Sequence, residues 1–478
     1  MKAWQWYPRA TPSTSYPTPL RWGVMSDPQA PSDLSEQELA FCEASIRDWH
    51  GRAARMLAAN PEIAGYGFAT ALVLGDVPRV REAIARDPAA ATRPDARTGW
   101  TPLHVVCASR WHRLDPARAP GLVDVARLLL DAGADPVGRT RGPRADWTPL
   151  RCAVAGAANP DIVRLLLDRA AIPDDHDLYL ACFGDDDRQS LRLLLGRAPD
   201  VSETTALSAP ISTGDIEAVR MLLDAGANPD QPMPAELFGT GHGTAATWPA
   251  AYAAVQFGRD SELLDLLLAR GADPNAVGPD GRSPYRVAIS QGRADLAVVL
   301  RRHGARDDAT TAERFLSACL RGDQAGARQL IAEDPGLVDR LTEDESGAIE
   351  LAAERGDTEA VRLMLDLGFP LDARRGDHGS TALHAAAYAG SAETVRLLLA
   401  RGADIEARDI TWDSTPLEWA KVGSGLQPQT SPDPDWAATV RILLDAGAST
   451  ESFELSSDDL KPASDEVADI LRAAGVRG

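Results

Sequence analysis

Large apolar residues along the chain come in short clusters at regular intervals, and each of the clearest clusters is soon followed by Gly-Ala. These clusters are three residues long and stand at 128–130, 221–223, 266–268, 397–399 and 442–444. Weaker copies stand at 165–167, 193–195, 299–300, 330–331 and 363–365. The separations are about 28 to 46 residues, with most near 30 to 34, and a period of this length predicts an array of small repeated units.

A second motif, Thr followed by Pro or Ala and then Leu, precedes several clusters. It stands at 101–104, 148–150, 381–384 and 415–417. Threonine can cap a helix by accepting from its first free N–H groups, and proline suits the next position because its φ is preset and it lacks an N–H. A glycine then ends this short first helix in a left-handed turn. Such glycines are Gly214, Gly258, Gly292, Gly322, Gly356 and Gly390. Each unit is therefore predicted to be a helix, a turn, a second helix and a loop.

These motifs resemble the ankyrin repeat family. The first helices resemble its T-P-L-H-x-A-A-x-x-G pattern, the second helices its V-x-L-L-L, and residues 271–275 its G-A-D-x-N entry into a β-hairpin finger. The resemblance covers roughly residues 65–478 and implies an all-α ankyrin-repeat solenoid of about eleven helix-turn-helix units with short β-hairpin fingers. Two units, at 68–91 and 314–338, end in Asp-Pro instead of Gly-Ala.

The repeat pattern sets the expected domain organisation. We expect a disordered N-terminal segment (1–31), an N-terminal capping helix region (32–64), the ankyrin array (65–454) and a C-terminal capping helix (455–478). Caps are expected because a single unit cannot bury both of its faces alone. The start of translation is left open between Met1 and Met25. A composition rich in Ala, Arg, Asp and Gly suggests a bacterial source.

Charge and cysteine content indicate which partners and which cellular compartment are expected. Lys and Arg number 49 against 70 Asp and Glu, a net charge of −21, which repels nucleic acid and anionic membrane surfaces. Five scattered cysteines without C-x-x-C spacing favour neither disulfides nor a zinc site. We therefore expect a cytoplasmic protein. No apolar run has the length of a membrane span.

Three insertions interrupt the period. Residues 111–120 and 422–434 fall between the two helices of a unit, on the edge that the family's geometry places opposite the fingers. Residues 231–247 lengthen a finger and could overhang the concave face. Each insertion is also compatible with a tolerated surface loop, because long loops add little closure entropy.

In the ankyrin family the partner generally lies against the finger tips and the outward face of the first helices. The resemblance implies the following contact positions: Trp100, Trp147, Trp248, Gln256, Phe257, Glu354, Arg355 and Tyr388. Large aromatic rings are favoured interface anchors because they bury much area at little cost in side-chain entropy. The alternative is that the three tryptophans only pack against the next finger.

Residues with catalytic or metal-binding chemistry have simpler structural explanations. The resemblance assigns His104 and His384 to hydrogen bonds between units. The acidic clusters at 174–177 and 185–187 are typical of solvated helix starts, and residues 239–243 lack the Lys-Ser/Thr ending of a phosphate loop. Cys107 and Cys319 occupy alanine-like positions of first helices and are expected to be buried and inert. We expect no cofactor and no metal.

Two functions from different classes remain. The first is a non-catalytic scaffold, expected to be a monomer, that binds a protein partner, possibly a basic one, on the concave face. The second is an enzyme or small-molecule binder whose pocket forms where the 231–247 finger folds over the groove, with His242 as an acid or base. A deep enclosed pocket with His242 beside a carboxylate would favour the second hypothesis.

Overall fold

The computed structural model describes residues 34–47, 51–95, 99–140, 147–183, 188–198, 200–234, 237, 247–375, 378–427, 430–451, 455 and 463–476. These residues form two compact units that divide near residue 240. Each unit is built from short α-helices, so the all-α fold class is confirmed. The segment 1–31 lies outside the described residues. Within the described part of the chain, every helix is too short or too polar to cross a membrane.

The first unit is a row of helical pairs. Its helices are α1 (Leu34–Arg47), α2 (Arg52–Ala59), α3 (Phe68–Leu74), α4 (Val77–Arg86), α5 (Pro102–Ala108), α6 (Trp111–Leu114), α7 (Ala119–Asp131), α8 (Pro149–Arg151), α9 (Pro160–Asp168), α10 (Asp175–Ala181), α11 (Gln189–Leu195), α12 (Ser208–Thr213) and α13 (Ile216–Asp224). Helix α8 continues as a π-helical segment, Cys152–Ala157. Short 3₁₀ turns span Pro61–Gly65, Pro88–Ala91 and Pro116–Arg118, and a two-residue strand, β1, spans Met233–Pro234.

The second unit repeats the same construction. It opens with strand β2 (Thr247–Trp248). Its helices are α14 (Ala250–Gln256), α15 (Ser261–Ala269), α16 (Pro284–Ser290), α17 (Ala294–Arg302), α18 (Thr311–Leu320), α19 (Gln324–Glu333), α20 (Glu343–Ser346), α21 (Ala348–Glu354), α22 (Thr358–Asp366), α23 (Ala382–Tyr388), α24 (Ala392–Ala400), α25 (Pro416–Leu426), α26 (Trp436–Asp445) and α27 (Asp465–Ala473). A 3₁₀ turn spans Val338–Arg340.

Polar caps and glycines fix where the paired helices begin and end. Asp260 caps α15 by accepting from the Leu263 N–H at 2.9 Å, and Asp357 caps α22 by accepting from the Ala360 N–H at 3.0 Å. A cap of this kind is worth about 1 kcal/mol. The left-handed turn predicted at the end of the first helices is confirmed. It occurs at Gly214, Gly258, Gly292, Gly322, Gly356 and Gly390.

The apolar clusters form the core at the second helices. The middle residue of each clear cluster has no exposed surface, and these residues are Leu129, Leu222, Leu267, Leu398 and Leu443. Burying one such leucine stabilises the fold by about 1.5–3 kcal/mol. First helices approach each other closely through small residues. A Cβ on Gly423 would clash with the Tyr388 carbonyl oxygen, so only glycine allows α25 to pack this near α23.

The insertions are more ordered than simple loops. Residues 111–118 lie between α5 and α7, as predicted, but residues 119 and 120 of the predicted insertion already belong to α7. The Trp111 indole N–H donates to Ser45 Oγ at 2.9 Å. The prediction that 422–434 falls between two helices is wrong for its first residues, because helix α25 continues to Leu426. Of the 231–247 finger only its two ends and Leu237 are described, so most of it, including His242, lies outside the described residues.

Helices also occupy both expected capping regions. α1 and α2 lie within 32–64, and α27 lies within 455–478. The proposed domain boundaries themselves stay a prediction.

Candidate partner-binding surface

In the first unit, two predicted contact residues form a stacked pair. Trp100 precedes the capping threonine of α5, and Trp147 precedes that of α8. Their ring centroids are 6.3 Å apart with an interplanar angle of 24°. Trp100 is 9% exposed, while Trp147 is half-buried. The pair therefore offers a partner mainly the Trp147 ring.

Histidines of the repeat motif link each repeat to the next one along the chain. The Thr101 N–H donates to His104 Nδ1 at 3.4 Å, and His104 Nε2 lies 3.0 Å from the Trp147 carbonyl oxygen. Because a carbonyl only accepts, Nε2 carries the proton. Burial lowers the pKa of His104 and keeps the ring neutral. His384 repeats this arrangement with the Ser414 carbonyl at 3.1 Å. The structural role predicted for both histidines is confirmed.

In the second unit, three predicted residues meet at the C-terminal end of α14. The Trp248 ring stacks on Phe257, with centroids 5.6 Å apart at 29°. Trp248 is 2% exposed, which leaves almost none of its ring for a partner, while Phe257 and Gln256 are half-buried. The Arg259 guanidinium lies 6.0 Å from the Phe257 ring centroid and donates to the Phe257 carbonyl. Phe257 thus forms the accessible part of this cluster.

The remaining predicted residues lie at the ends of α21 and α23. Arg355 Nη1 donates to the Gln291 carbonyl at 3.0 Å and so links the C-terminal end of α21 to the C-terminal end of α16. Burial raises the pKa of the Glu354 carboxyl, although Arg375 and Arg355 oppose the rise. Burial, together with the Glu354 charge, raises the pKa of the Tyr388 hydroxyl to about 12. Glu354 and Tyr388 are therefore neighbours on this surface.

Sequence reasoning missed a second carboxyl on α21. Glu350 lies one helical turn before Glu354 and accepts a hydrogen bond from the Ser380 hydroxyl. Burial raises the pKa of Glu350 to about 7, against the opposing effect of Arg375. The i,i+4 spacing places the two glutamates on one face of α21, but it does not predict that they are buried.

Sequence reasoning also missed most of an aromatic row. We define this row as His378, Trp412, Trp419 and Tyr388. The His378 and Trp412 rings stack at 4.6 Å and 26°. Trp419 meets Trp412 edge-on at 5.8 Å and Tyr388 edge-on at 5.9 Å. The row runs from two fingers to the ends of first helices, and only Tyr388 had been predicted, because the other three stand outside the variable positions of the motif.

The acidic cluster at 174–177 has a structural explanation. Arg151 donates from Nη2 to Asp174 Oδ2 at 2.6 Å and from Nε to Asp177 Oδ1 at 3.2 Å. Burial, together with the Asp174 charge, raises the pKa of Asp177 to about 6. Among the described residues no group of three or more His, Cys, Asp or Glu side chains is arranged to hold a metal ion. Residues 185–187 lie outside that description.

Cysteine chemistry agrees with the prediction. Cys107 and Cys319 are buried, and burial raises the pKa of both thiols, to about 12 for Cys319. A thiol held protonated in this way is a poor nucleophile.

A shallow depression also lies in the second unit, beside α20. It has a volume of about 560 Å³ and is lined by residues 341, 343, 346 and 370–374. None of the predicted contact residues lines it.

Two family models match the chain. A model described as ankyrin repeats in three copies matches residues 315–409, and one described as an ankyrin repeat matches residues 98–141. Among curated proteins, ankyrin repeat and SAM domain-containing protein 6 of Danio rerio is 28% identical over 208 residues. The match covers 43% of this chain but 27% of that protein, so the chain spans less than a third of this relative's length.

Solved ankyrin repeat domains are also similar. One from Acinetobacter baumannii AYE is 24% identical with a TM-score of 0.33, covering 43% of this chain and 98% of that one. The ankyrin repeat domain of human ASB11 is 22% identical with a TM-score of 0.23, covering 50% of this chain and 96% of that one.

Proposed function

We propose that this chain, whose residues 98–141 and 315–409 match models of ankyrin repeats, is a non-catalytic scaffold that binds a protein partner through the finger tips and the ends of its first helices. Ankyrin repeats are generally protein–protein interaction modules. Their stacked units provide an extended surface that is rigid without needing a catalytic lobe.

One observation carries the proposal. On the finger before α25, Ile410 is 73% exposed and Trp412 is 42% exposed. The repeat core does not need these side chains, since the buried leucines of the second helices supply it. Large apolar residues left exposed together on one loop are typical of an interaction site.

The contact residues implied by the repeat motif divide into two groups. Trp147, Gln256, Phe257, Glu354 and Arg355 are half-buried and supply surface that a partner can touch. The remaining rings, Trp100, Trp248 and Tyr388, are buried and are proposed to hold their neighbours in place.

Charge supports the choice of partner. A net charge of −21 speeds encounter with a basic protein and opposes binding to nucleic acid or anionic lipid. We also propose a cytoplasmic location, because scattered cysteines without C-x-x-C spacing suit a reducing compartment, and a monomeric state.

An affinity capture tests the proposal. The tagged full chain, its Trp412→Ala variant and a matched Val298→Ser variant are exposed to lysate of the source organism, and retained proteins are quantified by mass spectrometry. Val298 is also an exposed apolar residue, at 61%, but it lies on the second helix α17. We expect a protein that the wild type and Val298→Ser retain and Trp412→Ala loses. Equal retention by all three chains would overturn the assignment of the surface.

A further inference from the structure

One indole of the aromatic row, that of Trp412, is 42% exposed. The His378 imidazole covers one face of Trp412, with centroids 4.6 Å apart, and the edge of Trp412 meets Trp419. Ile410, two residues earlier on the same finger, is also exposed. The face of an indole carries partial negative charge, so an open indole face attracts a cation.

A buried carboxylate lies behind this ring. Asp409 is 3% exposed and accepts from the Trp412 N–H at 2.7 Å, the Ser414 N–H at 3.1 Å and the Trp419 indole N–H at 2.9 Å. All three donors are neutral. Among the described residues no cationic side chain forms an ion pair with Asp409. Its negative charge is therefore not cancelled within the row.

The cations near the row are directed elsewhere. Arg374 Nη1 donates to the Arg408 carbonyl at 2.8 Å, and Arg408 Nη1 donates to the Asp413 backbone carbonyl. The charge of Arg375 acts on Glu350 and Glu354 at the other end of the surface. Burial lowers the pKa of His384 and favours its neutral form. An incoming cation would thus meet the exposed part of the Trp412 ring, with the buried Asp409 carboxylate close by.

We infer that the aromatic row binds an arginine side chain of the protein partner, with the guanidinium stacked on the open face of Trp412 and an adjacent apolar residue against Ile410. Arginine fits better than lysine because its planar guanidinium stacks on an aromatic ring and is less strongly hydrated than an ammonium group. The inference rests on the proposed function, since it names the partner chemistry at that surface.

Small probes test the inference without knowledge of the partner. The full chain, labelled with ¹⁵N at its indoles, is titrated with N-acetyl-arginine amide, N-acetyl-lysine amide and N-acetyl-citrulline amide, which is a neutral isostere of arginine. The Trp412 signal is assigned with Trp412→Phe. We expect saturable shifts of the Trp412 and Trp419 signals with the arginine probe. The Trp100 and Trp147 signals, in the first unit, are expected to stay in place.

Variants give the size of the effect. Trp412→Ala should weaken arginine binding about tenfold, whereas Trp412→Phe, which keeps a ring, should weaken it only about threefold. Unchanged indole signals elsewhere report that each variant is folded. Equal shifts with citrulline, equal shifts with lysine, or no shift at Trp412 would each overturn the inference.

The two proposals fail in different ways. If the arginine probe does not bind but Trp412→Ala still loses a captured protein, the surface is an interaction site for another chemistry. If no captured protein depends on Trp412, the proposed function itself fails.

Discussion

The same capping motif occurs at α5 in the first unit and at α23 in the second, but its surroundings differ. In both, a threonine N–H donates to a histidine Nδ1, and the histidine Nε2 donates to the carbonyl just before the next motif. The residues that precede the threonines are Trp100 and Trp147 in the first unit and Ser380 and Ser414 in the second.

This difference shows that the motif fixes the scaffold and leaves the surface free to vary. In the first unit the two indoles stack on each other, so that each covers part of the other's apolar surface. In the second unit Ser380 instead donates to Glu350, and the indoles stand at Trp412 on a finger and Trp419 within α25. Aromatic residues therefore serve packing in one place and exposure in the other.

Alanine substitutions at one tryptophan of each kind should separate these roles most strongly. Trp100→Ala removes a buried, stacked ring and should cost about 3–5 kcal/mol of unfolding free energy. Trp412→Ala removes an exposed ring and should cost no more than about 1 kcal/mol. Urea unfolding of both variants measures the difference. Similar costs would show that Trp412 also serves packing.

Replacing the histidines should, by contrast, affect both units alike. His104→Ala and His384→Ala each remove the side chain that joins the capping threonine to the carbonyl before the next motif and leave a cavity in its place, and each should cost about 2–4 kcal/mol. His303→Ala is the matched control, because His303 pairs with Asp265 at the surface and should cost about 1 kcal/mol or less. The measurement is urea unfolding monitored by circular dichroism. A cost at one histidine several times that at the other would contradict a shared role.

The sequence predicted the scaffold well because scaffold positions obey periodic rules. Cluster spacing, the Thr cap and the glycine stops each follow from local backbone requirements, and the buried middle leucines and left-handed glycines agree with them. The extension of α25 to Leu426 escaped prediction because it depends on how Gly423 packs against the Tyr388 carbonyl, a contact between units.

The surface was predicted less completely, for a physical reason. The place of a residue in the motif predicts whether it can contact a partner, but it does not predict how far its side chain is buried. Trp248 stands at a contact position yet lies under Phe257, whereas Trp412 stands in a finger and is exposed. Asp409 accepts from donors on its own finger and the following helix, but no motif position marks it, and the spacing of the two glutamates on α21 gives no measure of the burial that raises the pKa of Glu350.

Glu350 on α21 should make the free energy of unfolding of the second unit depend on pH. Burial raises the pKa of Glu350 from 4.5 to about 7. Between pH 4.5 and pH 7, Glu350 is therefore protonated in the folded chain and ionised in the unfolded chain. Stability from this group is therefore present below pH 4.5 and is lost as pH rises to about 7. Glu350→Gln should abolish this loss and should be more stable than the wild type at pH 8 by about 1–3 kcal/mol.

Unfolding free energies of wild type and Glu350→Gln at pH 5 and pH 8 provide the measurement. Taking the difference between the chains cancels contributions from groups such as Asp177, whose pKa of about 6 acts in the same direction in the first unit. Glu343→Gln, at an exposed carboxyl of α20, should show no such change between the two pH values. The same difference at pH 5 and pH 8 for Glu350→Gln would contradict the assignment.

The smallest expected change in unfolding free energy is that of Arg355→Ala. Arg355 both forms a hydrogen bond of the scaffold and stands at a predicted contact position. Its Nη1 donates to the Gln291 carbonyl, and the half-buried side chain also stands at a predicted contact position. Arg355→Ala should cost about 1 kcal/mol of unfolding free energy, the usual value of one such hydrogen bond. Arg362→Ala, which removes a surface pair with Glu359, should cost about 0.5 kcal/mol or less. If Arg355→Ala weakens capture of the partner while Arg362→Ala does not, Arg355 contributes to binding beyond its role in packing; if both chains capture equally, Arg355 belongs to the scaffold alone.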